Sequence, residues 1–225
     1  MNFDSSKALQ RATGRAKSDV ANKLVSMFLH EVSRKACNAG GLSVSDVSYR
    51  DKVVKSFGHN CVYCDQVLEP DRVAVEHLEG MNRFRAGLHI PGNVAMACRR
   101  CNTEKRRDDQ NPVLSLAQSG WESFLSHDGT LCARECKTCA YWFAHFQDIE
   151  TRAQMMRTAR DKILYFQHPF RRFTEWSTNA RPAIQKNVER LYRDCQNFAT
   201  GEIEKLTSEL NFDFEKLADN YPTGK

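Results

Sequence analysis

No apolar run in this chain approaches the roughly 20 residues that a membrane-spanning helix needs, so no helical bilayer span is expected. The N-terminal stretch MNFDSSKALQRATGRAKSDV lacks the apolar core of a secretory signal, and the expectation is a cytoplasmic protein. Internal repeats and low-complexity tracts are also lacking. Strong net charge is missing too. A balance of +5 over 225 residues is too small to name a nucleic-acid partner by itself. A length of 225 residues allows one good core, or one core and a small module.

Cysteine is what the chain has in quantity. There are nine, an odd number, and in a reducing compartment that points to metal ligation and away from a disulfide scaffold. Two pairs are regular. Cys61 and Cys64 form one C-x2-C in CVYC, and Cys98 and Cys101 form another in CRRC, with 33 residues between the pairs. Each pair fits a tight turn that presents two thiolates to one tetrahedral ion, so a structural four-cysteine zinc site is expected. A thioredoxin-like redox pair is disfavoured, because two matched pairs are present and no βαβ pattern surrounds either. The charge is also concentrated here: CRRCNTEKRR holds five cations and one acid in ten residues. Such a run is usually a solvated face, but its overlap with a metal-like motif favours phosphate contact.

The apolar spacing predicts a helix within residues 5–40, on Ala21, Leu24, Val25, Phe28, Leu29 and Val32, ended by NAGGLS. RVAVEHL at 72–78 and VAMA at 94–97 read as short strands, joined through the turn-rich GLHIPGN at 87–93. Helix is expected from Asn102 onward, and again over 147–167, stopped by Pro169. Ile184, Val188, Leu191, Cys195 and Phe198 repeat at 4-3-4-3, with Pro182 expected in the first turn of that helix. An intramolecular seam is the preferred reading of this stripe and a homodimer contact the other. Gly201 is expected to interrupt it, with Ile203, Leu206 and Leu210 resuming out of phase. The expected organisation is a helical segment at 1–50, a compact metal-framed core at 51–110 and a helical region at 111–225.

Between the cysteine pairs lie VEHL and GLHIPGNV, and the second pair runs on as CRRCNTEK. This combination, over residues 61–105 and about a fifth of the chain, resembles the HNH, or ββα-metal, nuclease family in its zinc-framed branch. The resemblance implies an α+β fold: a ββα-metal core with a four-cysteine zinc site, embedded in mostly helical flanks. It implies a metal-dependent endonuclease acting on DNA, with structural Zn²⁺ away from the scissile bond and a second ion doing the chemistry. His77 would be the general base, and Glu76 and Asn102 would hold Mg²⁺ or Mn²⁺. Asn93 would pin the loop and help orient the base. The residue types suit those tasks. Histidine has a pKa near operating pH, and a carboxylate and an amide offer the hard oxygens that such ions prefer. The family usually has Asp before the base histidine, where this chain has Glu76, whose longer side chain would reach the ion with adjusted geometry.

Lys105, Arg106 and Arg107 are expected phosphate clamps, and Arg99, Arg100 and His89 candidate DNA contacts. For His89, structure or DNA contact is expected rather than catalysis. The flanks would supply target recognition, dimerisation or both, as a restriction or defence enzyme cutting double-stranded DNA would need. The alternatives are a nicking or structure-selective nuclease, or a zinc module that binds nucleic acid without cutting. CARECKTC places Cys132, Cys136 and Cys139 at C-x3-C-x2-C. A radical S-adenosylmethionine reading is disfavoured, because Thr138 stands where an aromatic is usual and no run of βα units is present. A second zinc site completed by His127, His145 or Cys37, and three free thiols, stand as equal readings.

Overall fold

The computed structural model describes residues 5–104 and 149–210. They are mostly helical and contain one small antiparallel sheet. In chain order the elements are α1 (Ser5–Gly40), α2 (Val47–Phe57), β1 (Val73–His77), β2 (Val94–Cys98), α3 (Arg99–Glu104), α4 (Ile149–Gln167), a 3-10 turn (His168–Phe170) and α5 (Arg171–Glu209). The chain divides into two compact units, Val25–Val188 and the two ends, Met1–Leu24 with Glu189–Lys225. In the unit of the two ends, the described residues are almost wholly helical.

The unit Val25–Val188 is built around the sheet and the cysteines. β1 pairs with β2 antiparallel, with Glu76 opposite Ala95 and His77 opposite Val94. α3 follows β2 without a break and packs on both strands. Beneath them lies a cluster of buried residues that includes Tyr63, Leu78, Ala95 and Ala97 along with Cys61, Cys64 and Cys101. Both helical flanks close it. Tyr49 and Phe57 come from α2, Ile163 and Phe166 from α4, and Phe170 from the turn. Their rings meet at centroid distances of 5.0 Å for Tyr49–Phe170, 5.1 Å for Phe57–Phe166 and 5.5 Å for Phe166–Phe170. All three pairs are edge-on, the arrangement that ring quadrupoles favour.

α2 was not among the expected elements, since residues 43–50 read as a polar stretch. Tyr49, Val53 and Phe57 recur every four residues and face the core, while Arg50, Asp51, Lys52 and Lys55 dilute the pattern. Gly58, at φ +62°, ends the helix. A second correction concerns Pro182. It lies inside α5, not in its first turn, and the helix continues through Gly201 to Glu209. Proline inside a helix costs about 3 kcal/mol locally. Burial of the apolar Phe173, Ile184 and Val188 on α5 works against that cost. The 4-3-4-3 stripe divides accordingly: Ile184 and Val188 are buried, whereas Cys195 is half-buried and Phe198 exposed.

The loop at 87–93 is held from several sides. Gly92 N–H donates to the Tyr49 hydroxyl at 3.2 Å, and Gln167 Nε2 donates to the Gly92 carbonyl at 2.8 Å. Gly92 itself has φ +85°, and a Cβ there would lie 2.9 Å from Thr174 Cγ2 and 3.0 Å from Phe170 Cβ. Strain and crowding act together at this position. Gly92→Ala is expected to lower stability by about 1–3 kcal/mol, read as a fall in the thermal midpoint. An unchanged midpoint would mean that the loop is not packed as described.

Candidate metal centre and adjoining site

The four sulfur atoms of Cys61, Cys64, Cys98 and Cys101 lie within 4.8 Å of one another. Two local turns and the sheet bring this about. The first pair sits on a knuckle closed by Cys61 N–H to the Gln66 carbonyl (2.8 Å) and Asp65 N–H to the Cys61 carbonyl (3.0 Å), with Asp65 at φ +55°. Val62 N–H donates to the Met96 carbonyl at 3.1 Å and ties the knuckle to β2. The second pair straddles the β2–α3 junction, where Cys101 N–H donates to Cys98 Sγ at 3.5 Å. Cys64 and Cys98 are 3.9 Å apart at sulfur. A disulfide needs about 2.05 Å. Two ligands of a tetrahedral ion with Zn–S bonds of 2.3 Å stand about 3.8 Å apart. The spacing therefore fits a metal of zinc's size, and four thiolate donors are the set that structural zinc takes.

The thiols perturb one another strongly. Cys61 is held below the usual thiol range by hydrogen bonds from Cys101 and Cys64, and Cys98 by bonds from Cys101 and Cys61. Cys101 is pushed up by its bonds to Cys61 and Cys64 and by burial. Cys64 is lowered by Cys101 but raised further by Cys61, Cys98 and burial, and ends above the usual range. Four sulfurs this close cannot all be anionic without a cation among them.

Consecutive strand residues face opposite sides, and this separates Glu76 from His77. Glu76 is 2% exposed, and its Oε1 accepts a hydrogen bond from Tyr63 Oη at 3.2 Å. Burial, then the Glu76 charge, pushes the Tyr63 phenol well above its usual range, so Tyr63 stays a donor. His77 is half-buried, and its Nε2 lies 2.9 Å from His89 Nδ1. Asn93 is 5% exposed and bonds across the loop: Oδ1 accepts from Glu79 N–H (2.7 Å), and Nδ2 donates to the Glu79 (3.1 Å) and Leu88 (2.6 Å) carbonyls. These bonds join the two ends of the segment between the strands and hold Leu78 and Glu79 beside the returning chain. Asn93→Ala would strand three main-chain partners, the buried Leu88 carbonyl among them. It is expected to cost about 2–4 kcal/mol, measured by chemical denaturation. A loss below about 0.5 kcal/mol would show that water replaces the side chain freely.

Asn102 is half-buried in α3, one residue after Cys101. Arg99 is exposed at the start of the same helix. The side chain of Arg100 lies outside the described residues, as do Lys105, Arg106, Arg107, Cys132, Cys136 and Cys139. Beside Asn93 opens a polar cleft of about 560 Å³ lined by Glu79, Gln167, Thr174, Ser177 and Arg181, among others. Arg181 pairs with Glu79 at 3.8 Å. The sequence reading missed three contributors: Tyr63, which holds Glu76, and His30 and Ser33, which flank His89. Tyr63 stands between the first two cysteines, but nothing in CVYC says which way its ring turns. His30 and Ser33 belong to α1 and lack any motif. Among the described residues, no helix is long and apolar enough to cross a membrane. No protein-family model matches the chain, and no curated protein and no solved structure matches it either.

Proposed function

We propose that the chain is a metal-dependent HNH-type DNA endonuclease that hydrolyses phosphodiester bonds around a structural zinc held by Cys61, Cys64, Cys98 and Cys101. The observation that carries this reading is the closing of the four thiols on one another, with the motif residues on the elements they join. Glu76 and His77 end β1, and Asn102 follows Cys101 in α3. The order β1, β2, α3 is compatible with a ββα core.

In this reading His77 takes the proton of the attacking water. Glu76, steadied by Tyr63, and Asn102 offer hard oxygens for Mg²⁺ or Mn²⁺. Such an ion would neutralise charge on the scissile phosphate and the departing 3′ oxygen. Asn93 holds the segment that carries the base. Exposed Arg99, with Arg100, Lys105, Arg106 and Arg107, supplies cations for the DNA backbone. One such site cuts one strand. A restriction or defence enzyme cutting both strands would act as a homodimer or in two successive events.

The test is cleavage of supercoiled plasmid by the full chain with Mg²⁺ or Mn²⁺, against EDTA. Discrete, metal-dependent fragments are expected. Nicking alone would keep the chemistry and remove the restriction assignment. DNA bound but uncut with either ion would leave a zinc-containing binding module instead.

A further inference from the structure

His89 takes no part in the hydrolysis as proposed, yet its main chain is held on both sides. Its N–H donates to Ser33 Oγ at 2.8 Å, and Ser33 in turn donates its hydroxyl proton to the Leu29 carbonyl at 2.6 Å. The Cys37 thiol reaches the His89 carbonyl at 3.8 Å. The neighbours Leu88 and Ile90 are fully buried. One turn of α1 thus grips the main chain on both sides of a single imidazole. The ring then points at His77: Nδ1 to Nε2 is 2.9 Å, with centroids 5.2 Å apart and planes at 57°. The His30 ring also stands near His89, at 5.6 Å between centroids. His30, Glu31, Arg34 and Cys37 of α1 line a cavity of about 530 Å³ together with His89.

Burial, and after it the nearby His30, holds the His89 imidazole below the usual histidine range and favours its neutral form. A neutral imidazole has one donor nitrogen and one acceptor. Two arrangements of the pair are therefore open. If His89 donates through Nδ1, the lone pair on His77 Nε2 is consumed and the base is lost. If His89 accepts, His77 carries its proton on Nε2, and its Nδ1 is unprotonated.

We propose that His89 is a positioning residue for His77: its Nδ1 accepts the His77 Nε2 proton, selecting the tautomer in which His77 Nδ1 is the basic nitrogen. The proposal rests on the geometry for the His77–His89 contact, and on the nuclease reading for the choice of tautomer. It also gives α1 a role in the site, since Ser33 and Cys37 fix where the acceptor stands.

The test has two arms on the full, zinc-loaded chain. In the first, ¹⁵N-histidine NMR reads the His77 tautomer, with its signals assigned by their loss in His77→Ala. The native chain is expected to show His77 protonated at Nε2 and unprotonated at Nδ1, and His89→Ala to show a mixture. A native His77 protonated at Nδ1, or a tautomer unchanged by His89→Ala, overturns the proposal. In the second arm, His89→Ala lowers kcat about 10–100-fold with KM little changed. His89→Asn, whose Oδ1 can accept where Nδ1 stood, stays within about threefold of the native rate. Equal loss in both variants refutes the acceptor role. A native chain that cuts no DNA would overturn the nuclease reading, and the NMR arm would still decide the tautomer.

Discussion

Cys101→Ala is expected to release one zinc ion per chain and to unfold the core of the Val25–Val188 unit at ordinary temperature. Cys101 is 3% exposed and belongs to the same buried cluster as Tyr63, Phe57 and Phe166. Four thiolates hold structural zinc with an apparent free energy of about 10–16 kcal/mol, and in small metal-framed cores that binding is folding free energy. Whole domains are stable by only about 5–15 kcal/mol. Losing one of four ligands therefore removes a share that the rest of the packing cannot make up. Native mass spectrometry would count the zinc, and a thermal melt with and without chelator would report the linkage. Unchanged zinc content and an unchanged melt would show that the cluster holds no structural ion. The count also bears on Cys132, Cys136 and Cys139, because a second zinc that survives Cys101→Ala would belong to other ligands.

His77→Ala should reduce plasmid cleavage by about 10²–10⁴-fold while DNA binding persists. Removing a general base slows proton transfer in the transition state, whereas affinity for duplex DNA comes mainly from cations on phosphate. The variant should keep its zinc, since His77 is not among the four cysteines that form the cluster. Binding by gel shift and cleavage on the same plasmid would separate the two effects. Normal cleavage by His77→Ala would remove the proposed mechanism even if the protein cuts DNA. Loss of binding together with cleavage would instead point to a disrupted fold.

The site was legible in part. C-x2-C spacing is a local fact, because two such thiols fall on one turn whatever surrounds them. The two strands announced themselves by β-branched residues between turn signals, and α4 by its length and the proline beyond it. The side chain of Asn93 bonds across the loop to Glu79 and Leu88, partners that GLHIPGNV does not name. His89 was expected to steady the loop or touch DNA. Its main chain does bond to Ser33, but its ring engages His77.

From sequence alone came the short-range elements: α1, β1, β2, α4 and the two thiol turns, whereas α3 begins at Arg99, three residues before the helix expected from Asn102. Periodicity and turn chemistry act over a few residues, so they can be read from a few residues. The tertiary structure decided what lies far apart in the chain. It brought Cys61 and Cys64 to Cys98 and Cys101, and set Tyr63 against Glu76. It carried Ser33 to His89 across 56 residues and kept Pro182 inside a helix. For the cysteines and Tyr63 the deciding term is the apolar surface that α2, α4 and the turn after α4 bury around the sheet. That surface is shared among segments, and no single stretch of sequence contains it.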